Sequence, residues 1–210
     1  MRSPNLAPVS LFPVSPLVFS AVPWRKRRGP LADWLIVGLG NPGPRYARPR
    51  HNVGFMVCQR LIEQYALGKP KQKYRARIAE GRLGPGGPGV FVLMPETFMN
   101  EAGKAVGPAR GELHLDADRV VVVHDEIDFS LGRVESRLGG GTGGHNGLKS
   151  VRQALGTTDF WRVRIGIGRP DSTDPEIVSR YVLGTFDEPL AEVDALIADG
   201  LRETLNVVAA

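Results

Sequence analysis

Four consecutive valines, Val120–Val123, constrain the fold of this chain of 210 residues more than any other segment. A short, wholly apolar run of β-branched residues is typical of a strand that is buried on both faces inside a helix-covered sheet. His124, Asp125 and Glu126 follow at once, so this polar cluster is expected at the end of the strand. The pattern predicts an α/β protein with acidic groups at one edge of its sheet, although a solvated acidic loop is the simple alternative.

A second buried strand is predicted at residues 35–39, which read Leu-Ile-Val-Gly-Leu and are ended by a glycine-proline turn at 40–43. His51 follows this turn, and Asn52 is expected to cap a helix whose apolar pattern begins at Val53. His51 therefore lies beside the carboxyl end of a strand, where open α/β sheets bind their ligands. A carboxylate of the acidic cluster can fix the tautomer of His51 and leave its other nitrogen free to take a proton from water.

The sequence matches three other kinds of site only in part: a dinucleotide site, a phosphate loop and a metal site. Residues 38–43 fit G-x-G-x-x-G with Glu63 twenty residues beyond, yet prolines from 42 to 49 prevent the helix that a dinucleotide site needs. The glycine-rich run 139–147 lacks the ending of a phosphate loop because Leu148 precedes the lysine. Four scattered histidines and a lone cysteine have no metal-ligand spacing, so neither a metal nor a cofactor is expected.

The glycine-rich run contains six glycines in nine residues, so its backbone can approach a ligand closely. His145 and Asn146 lie in this run just before a helical pattern that starts at Leu148. Asn146 is expected to cap this helix. A plain flexible linker is the alternative interpretation of the segment.

Five segments occur in a fixed order along the chain: GLGNPGPRYARPRHNVGF, PETFMNEAGKAV, VVVHDEIDFSLGRV, GGGTGGHNGLKSV and FWRVRIGIGRP. Together they closely resemble the bacterial-type peptidyl-tRNA hydrolase family, over roughly residues 34–205. The resemblance implies a single α/β domain with a central mixed β-sheet flanked by helices. It also implies cleavage of the ester that joins a peptide to the 3′ ribose of transfer RNA, without a cofactor or metal.

The resemblance implies roles for individual residues. His51 matches the catalytic histidine, and Asp125 matches the carboxylate that orients it. Asn100 matches the asparagine that positions water and donates its amide to the carbonyl oxygen, which contributes to oxyanion stabilisation. The residues matched to substrate and tRNA contacts are Asn41, Tyr46, Met99, His145, Asn146, Arg137 and Arg164.

Within that set, Asn41 and Asn146 are expected to hold the peptide and the terminal nucleotide region. Tyr46, Met99 and His145 are expected to line the crevice that binds them.

The charge of the chain indicates the kind of partner. Net charge +5 and a pI of 9.7 favour a polyanionic partner.

Two arginines are expected to contact phosphate. By resemblance, Arg137 and Arg164 fall where the family holds acceptor-stem phosphate, and a guanidinium suits that contact. Glu135 departs from the basic character expected there.

Two alternative functions remain. One is a non-catalytic RNA-binding module on the same fold, and the other is an esterase acting on small N-blocked esters.

Residues 1–32 lie outside the resemblance and are expected to be a disordered N-terminal extension, with the catalytic domain at 33–210. Prolines interrupt every apolar stretch of this extension, which argues against a secretory signal. A transit peptide is the alternative, because no acid precedes Asp33. The lone Cys58 fits a reducing cytoplasm, and no apolar run is long enough to span a membrane. A cytoplasmic monomer is therefore expected.

Overall fold

The computed structural model describes residues 32–43 and 49–210. In this part of the chain, seven strands form one mixed sheet in the order β2-β3-β4-β1-β5-β7-β6. The strands are β1 (Trp34–Gly38), β2 (Lys71–Lys73), β3 (Ala76–Arg82), β4 (Gly89–Pro95), β5 (Val120–Glu126), β6 (Val134–Leu138) and β7 (Trp161–Gly166). The central strands β4, β1, β5 and β7 are parallel, and the outer pairs are antiparallel.

Helices cover both faces of the sheet, as the sequence predicts. They are α1 (Val53–Gln64), α2 (Gly103–Leu113), α3 (Asn146–Leu155), α4 (Pro175–Leu183) and α5 (Leu190–Ala209). Buried residues of α1 and α5 pack on one face, and those of α2 and α3 pack on the other. The expected single α/β domain with a central mixed sheet is therefore confirmed.

The valine run is the centre of this arrangement. All four valines of β5 are 0% exposed. Val121 and Val123 face the α1 and α5 layer, and Val120 and Val122 face the α2 and α3 layer. Because a fully buried valine contributes about 1.5 to 3 kcal/mol, both faces of this strand stabilise the sheet.

The strand order brings three strand ends together. β1 lies between β4 and β5 and is parallel to both, so the carboxyl ends of these strands share one edge. The start of α1 packs tightly against this edge, because a Cβ added at Gly54 would lie 2.3 Å from the Val123 carbonyl oxygen. The glycine thus permits the close approach that carries His51, three residues earlier, to the end of β5.

Residues 1–31 and 44–48 lie outside the described residues, so the expected extension over residues 1–32 stays a prediction. Tyr46 also lies outside them. Among the helices of the described part, none is both long and apolar enough to cross a membrane.

Candidate active site

His51 and Asp125 form the pair that the sequence predicts. His51 lies in the short 3-10 turn Arg50–Asn52 before α1, and Asp125 lies near the end of β5. The Nδ1 atom of His51 is 2.8 Å from Oδ1 and 2.9 Å from Oδ2 of Asp125. Because an ionised carboxylate only accepts hydrogen bonds, Nδ1 carries the hydrogen and donates it. The Nε2 atom of His51 has no partner in the described part of the chain, and the side chain lines a crevice.

His145 donates a second hydrogen bond to the same carboxylate. Its Nε2 atom lies 3.1 Å from Oδ1 of Asp125, while its Nδ1 accepts from the backbone N–H groups of Gly147 and Leu148 at 3.1 and 3.3 Å. Accepting at Nδ1 places the hydrogen on Nε2, so the tautomer of His145 is fixed. His145 is thus the N-cap of α3. The expected cap at Asn146 is wrong, since Asn146 is already the first helical residue.

The three side chains His51, Asp125 and His145 place their ligand atoms within 4.8 Å of one another, a spacing that a metal ion could use. As a ligand through Nε2, His145 would lose that hydrogen while Nδ1 still accepts two N–H groups. The ring would then be anionic, which is unfavourable. The donor set of this cluster therefore fits hydrogen bonding better than metal binding.

The Asp125 side chain is only 2% exposed. Burial alone would raise the pKa of this carboxyl group, but the nearby His51 and His145 lower the pKa well below its usual range. Asp125 is therefore ionised at neutral pH. An ionised carboxylate stabilises a positive charge that forms on the neighbouring imidazole.

Asn41 follows β1, lines the same crevice and is held by three hydrogen bonds. Its backbone N–H donates to Oδ1 of Asn52, its carbonyl accepts from Nδ2 of Asn52, and both distances are 2.9 Å. Its own Oδ1 accepts from the Met99 N–H at 2.9 Å, which leaves the Nδ2 group to donate to a ligand. The expected side-chain cap by Asn52 is wrong, because this amide bonds to Asn41 instead.

A crevice of about 840 Å³ contains these groups. Nine of the ten predicted site residues line it, and the tenth, Tyr46, lies outside the described residues. The nine are Asn41, His51, Met99, Asn100, Asp125, Arg137, His145, Asn146 and Arg164. The structure therefore brings together side chains that are up to 123 positions apart in the sequence, from Asn41 to Arg164.

One wall of the crevice is formed by residues that the sequence motifs do not indicate. Helix α4 has no buried residue of its own, and Val178 and Val182 of this helix line the crevice. Phe98, 66% exposed, is a further apolar lining residue. The spacing of the two valines after the helix start at Pro175 is the sequence signal that could have revealed this wall.

Arg50 is a second residue that sequence reasoning missed. It is 4% exposed, and its guanidinium lies 4.4 Å from the ring centre of Tyr181 on α4. It also pairs with Asp187 at 3.1 Å and Glu188 at 3.3 Å in the connection from α4 to α5. Because Arg50 precedes His51 directly, it ties the histidine's turn to the α4 wall.

The arginines near the crevice differ in their partners. Arg164 donates to Glu126 at 3.0 and 3.1 Å, whereas Arg137 has no ion pair or hydrogen bond among the residues described. Glu135 lies opposite Arg164 in the sheet register but bonds to Arg133 at 2.6 Å. Of the two predicted phosphate contacts, Arg137 is therefore the one whose guanidinium is available.

His124 is a buried neutral imidazole beneath the site. It is 1% exposed, and its Nδ1 donates to the backbone oxygen of Asp125 at 2.7 Å. Burial, followed by the electrostatic influence of His145, lowers the pKa of His124 from its ordinary 6.5 to about 3. His124 therefore remains uncharged next to the pair of His51 and Asp125.

This lowered pKa gives an expected pH dependence of stability. In the unfolded chain His124 binds a proton near its ordinary pKa, whereas the folded protein does so only near 3, so stability falls as the pH drops below about 6.5. The expected slope is about 1.4 kcal/mol per pH unit. His124→Asn, whose amide can replace the Nδ1 donor, should remove this slope between about pH 6.5 and 5 in urea unfolding experiments. The exposed control His114→Asn should keep it, and a slope that persists in His124→Asn would contradict the assignment.

A buried carboxylate that holds an imidazole in a crevice is typical of hydrolytic enzymes that activate water. In this protein the pair lies at the end of a mixed sheet in an α/β fold. Comparison with known proteins defines the class further. The family model of peptidyl-tRNA hydrolase matches residues 35–210. The chain belongs to the peptidyl-tRNA hydrolase family, as its five segments predict.

Individual relatives agree with this assignment. The chain is 41% identical to the peptidyl-tRNA hydrolase of Renibacterium salmoninarum over 180 residues, which cover 80% of the chain and 92% of the relative. It is 44% identical to that of Mycobacterium sp. strain KMS over 187 residues, covering 83% and 95%. Its structure is similar to a crystal structure of the Acinetobacter baumannii enzyme, with a TM-score of 0.71 and 31% identity over 86% of this chain and 94% of the other.

Proposed function

We propose that this protein is a peptidyl-tRNA hydrolase, an enzyme that cleaves the ester bond between a peptide and the 3′ ribose of transfer RNA. The observation that carries this function is the His51 imidazole, held by Asp125 at 2.8 Å with its Nε2 free in the crevice. Family membership supports the substrate class. An RNA-binding module without catalysis would need no such oriented base.

In the proposed reaction, Nε2 of His51 removes a proton from a water molecule as its oxygen attacks the ester carbonyl. Asp125 accepts the Nδ1 hydrogen bond and stabilises the imidazolium that results. The tetrahedral intermediate then collapses, the ribose oxygen leaves, and the imidazolium returns the proton to it. General acid and base catalysis of this kind contributes about a hundredfold to ten-thousandfold in rate.

The amides of the crevice suit the remaining tasks. Asn100 follows β4 in the turn Met99–Glu101 and is exposed in the crevice, where its amide can donate to the developing oxyanion. The Nδ2 group of Asn41 is available to hold a peptide carbonyl, because its Oδ1 is used by Met99. Asn146 begins α3 at the crevice and is suited to the terminal nucleotide region. The role of Tyr46 stays a prediction.

Contacts to the acceptor stem are proposed for Arg137 first and Arg164 second. The guanidinium of Arg137 is unpaired among the described residues, whereas phosphate would have to compete with Glu126 for Arg164. Phosphate contacts position RNA without reading its sequence, so they suit an enzyme that accepts many tRNAs. The expected cytoplasmic location and monomeric state stay predictions.

Two matched substrates test the proposed function. The protein is expected to cleave an N-acetylated aminoacyl-tRNA and to spare the same aminoacyl-tRNA with a free amine, measured by release of the labelled amino acid. The free ammonium cannot replace the blocked amine, because the crevice amides are placed to meet a peptide group. Binding without cleavage of either substrate would favour the RNA-binding module. Equal cleavage of a small N-acetyl amino ester would favour a general esterase.

A further inference from the structure

Arg162 fixes the backbone orientation of the glycine loop, which is defined here as residues 139–144. This arginine is 3% exposed, so it is a buried cation. Its Nη2 donates to the Gly140 carbonyl at 2.7 Å, and its Nη1 donates to the Gly141 carbonyl. Two successive carbonyls of the glycine loop therefore point inward at one buried guanidinium.

The inward carbonyls determine where the amide groups point. In a planar trans peptide the N–H is directed opposite to the C=O, so the N–H groups of Gly141 and Thr142 point away from Arg162. Within the described residues, the N–H groups of 140–144 have no hydrogen-bond partner. Positive φ angles of 103° at Gly140 and 53° at Gly143 allow this course of the chain. Successive backbone N–H groups without partners in a turn can bind an anion.

The surroundings of the glycine loop are positively charged. Burial, followed by the charges of Arg137, Arg164 and Arg152, lowers the pKa of Arg162. These guanidinium groups lie near enough to one another to repel, and a bound anion would relieve that repulsion. Residues 141–144 line the same crevice as the catalytic pair.

We propose that the backbone N–H groups of the glycine loop bind a phosphodiester at the 3′ end of the RNA. Arg162 is the residue that positions the loop for this contact. This proposal rests on the proposed function. The loop leads directly into His145, which bonds to Asp125 at 3.1 Å, so its N–H groups lie close to the reacting ester. The nearest anion of such a substrate is the phosphodiester that joins the last nucleotide to the one before it.

Gly141→Ala tests the site without disturbing the fold. Gly141 has no left-handed φ, and a Cβ added there would meet nothing within 4 Å, so the folded protein should tolerate alanine. The methyl group would hinder an approaching phosphate oxygen. We expect the KM for N-acetylaminoacyl-tRNA to rise about tenfold while kcat stays within about twofold, as the loss of one hydrogen bond to a charged group predicts. Gly111→Ala on α2, where a Cβ also meets nothing, is the matched control and should leave both constants unchanged.

Arg162→Lys tests the positioning role. Lysine keeps the charge but cannot hold both carbonyls with a planar fork. We expect a higher KM with kcat within about twofold. We also expect that inorganic phosphate no longer shifts the amide N–H signals of Gly141 and Thr142 in NMR spectra. Retention of those shifts, with the KM of the unaltered protein, would overturn the role assigned to Arg162.

Amide NMR spectra of the unaltered protein test the ligand. Inorganic phosphate and the trinucleotide CCA are expected to shift the N–H signals of Gly141 and Thr142, and the nucleosides cytidine and adenosine are not. Equal shifts with the nucleosides, no shift with CCA, or an unchanged KM in Gly141→Ala would overturn the proposal. Failure of the proposed function is a different result, because the unaltered protein would then cleave no N-acetylaminoacyl-tRNA.

Discussion

His51→Ala is expected to lower kcat for N-acetylaminoacyl-tRNA about a thousandfold, within the range typical of a lost general base. The substitution removes the Nε2 lone pair that, in the proposed reaction, takes the proton from water. The protein should still fold, because His145 continues to donate to Asp125 and the buried carboxylate keeps a partner. The lost hydrogen bond should cost about 1 to 3 kcal/mol in the free energy of unfolding.

Single-turnover hydrolysis measures this effect without interference from product release. His114→Asn is a matched control, since His114 is an exposed histidine at the end of α2, outside the crevice. It should leave the rate unchanged. A His51→Ala protein that is folded and retains more than a tenth of the rate would remove His51 from the mechanism.

Asp125→Asn is expected to lower kcat about a hundredfold, less than His51→Ala because the imidazole itself remains. The carboxamide carries no charge to stabilise the imidazolium. Its NH₂ group can also face Nδ1 of His51, which would favour the tautomer with the hydrogen on Nε2. The KM should change little, since Asp125 is buried and its two partners are histidines of the protein.

The same assay with Asp194→Asn serves as the control, because Asp194 is a 71% exposed carboxylate on α5. Its rate should equal that of the unaltered protein. Because the pKa of Asp125 is far below its usual range, loss of activity between about pH 7 and 5 is not expected to come from protonation of this carboxylate. If Asp125→Asn keeps kcat within threefold, the carboxylate does not act on the imidazole.

Much of the architecture could be predicted because short apolar runs have few alternatives. Four adjacent β-branched valines favour a strand that is covered on both faces, and that strand carries Asp125 to the sheet edge. The position of His51 after a strand and a proline-rich turn indicates the same edge. Meeting of the two side chains follows from the parallel pairing of β1 with β5.

The helix caps could not be predicted, because their side chains have partners that are distant in the sequence. Asn52 fits the local rule for a cap, yet its amide bonds to the backbone of Asn41, eleven residues away. His145 caps α3 instead of Asn146, since its imidazole can accept the helix N–H groups and donate to Asp125 at once. Local propensity is a weak guide where such tertiary contacts satisfy the same polar atoms.

Charge patterning is similarly incomplete as a guide to the RNA contacts. Arg162 and Arg164 are two residues apart on β7 and therefore lie on the same face of the strand. Arg162 is nevertheless buried under the glycine loop, whereas Arg164 is paired with Glu126. Arg137 on the neighbouring strand is the unpaired one among the described residues. Sequence gives the number of cations in this region, whereas their availability depends on which carboxylates and carbonyls the fold places beside them.

The tautomer of His51 tests the central claim most directly. A long-range ¹H–¹⁵N NMR spectrum, recorded at a pH where the ring is neutral, distinguishes a protonated ring nitrogen from one with a free lone pair. Because Nδ1 lies 2.8 Å from the Asp125 carboxylate, we expect the hydrogen on Nδ1 and a free lone pair on Nε2. A hydrogen found on Nε2 would contradict the assignment of His51 as the base that activates water.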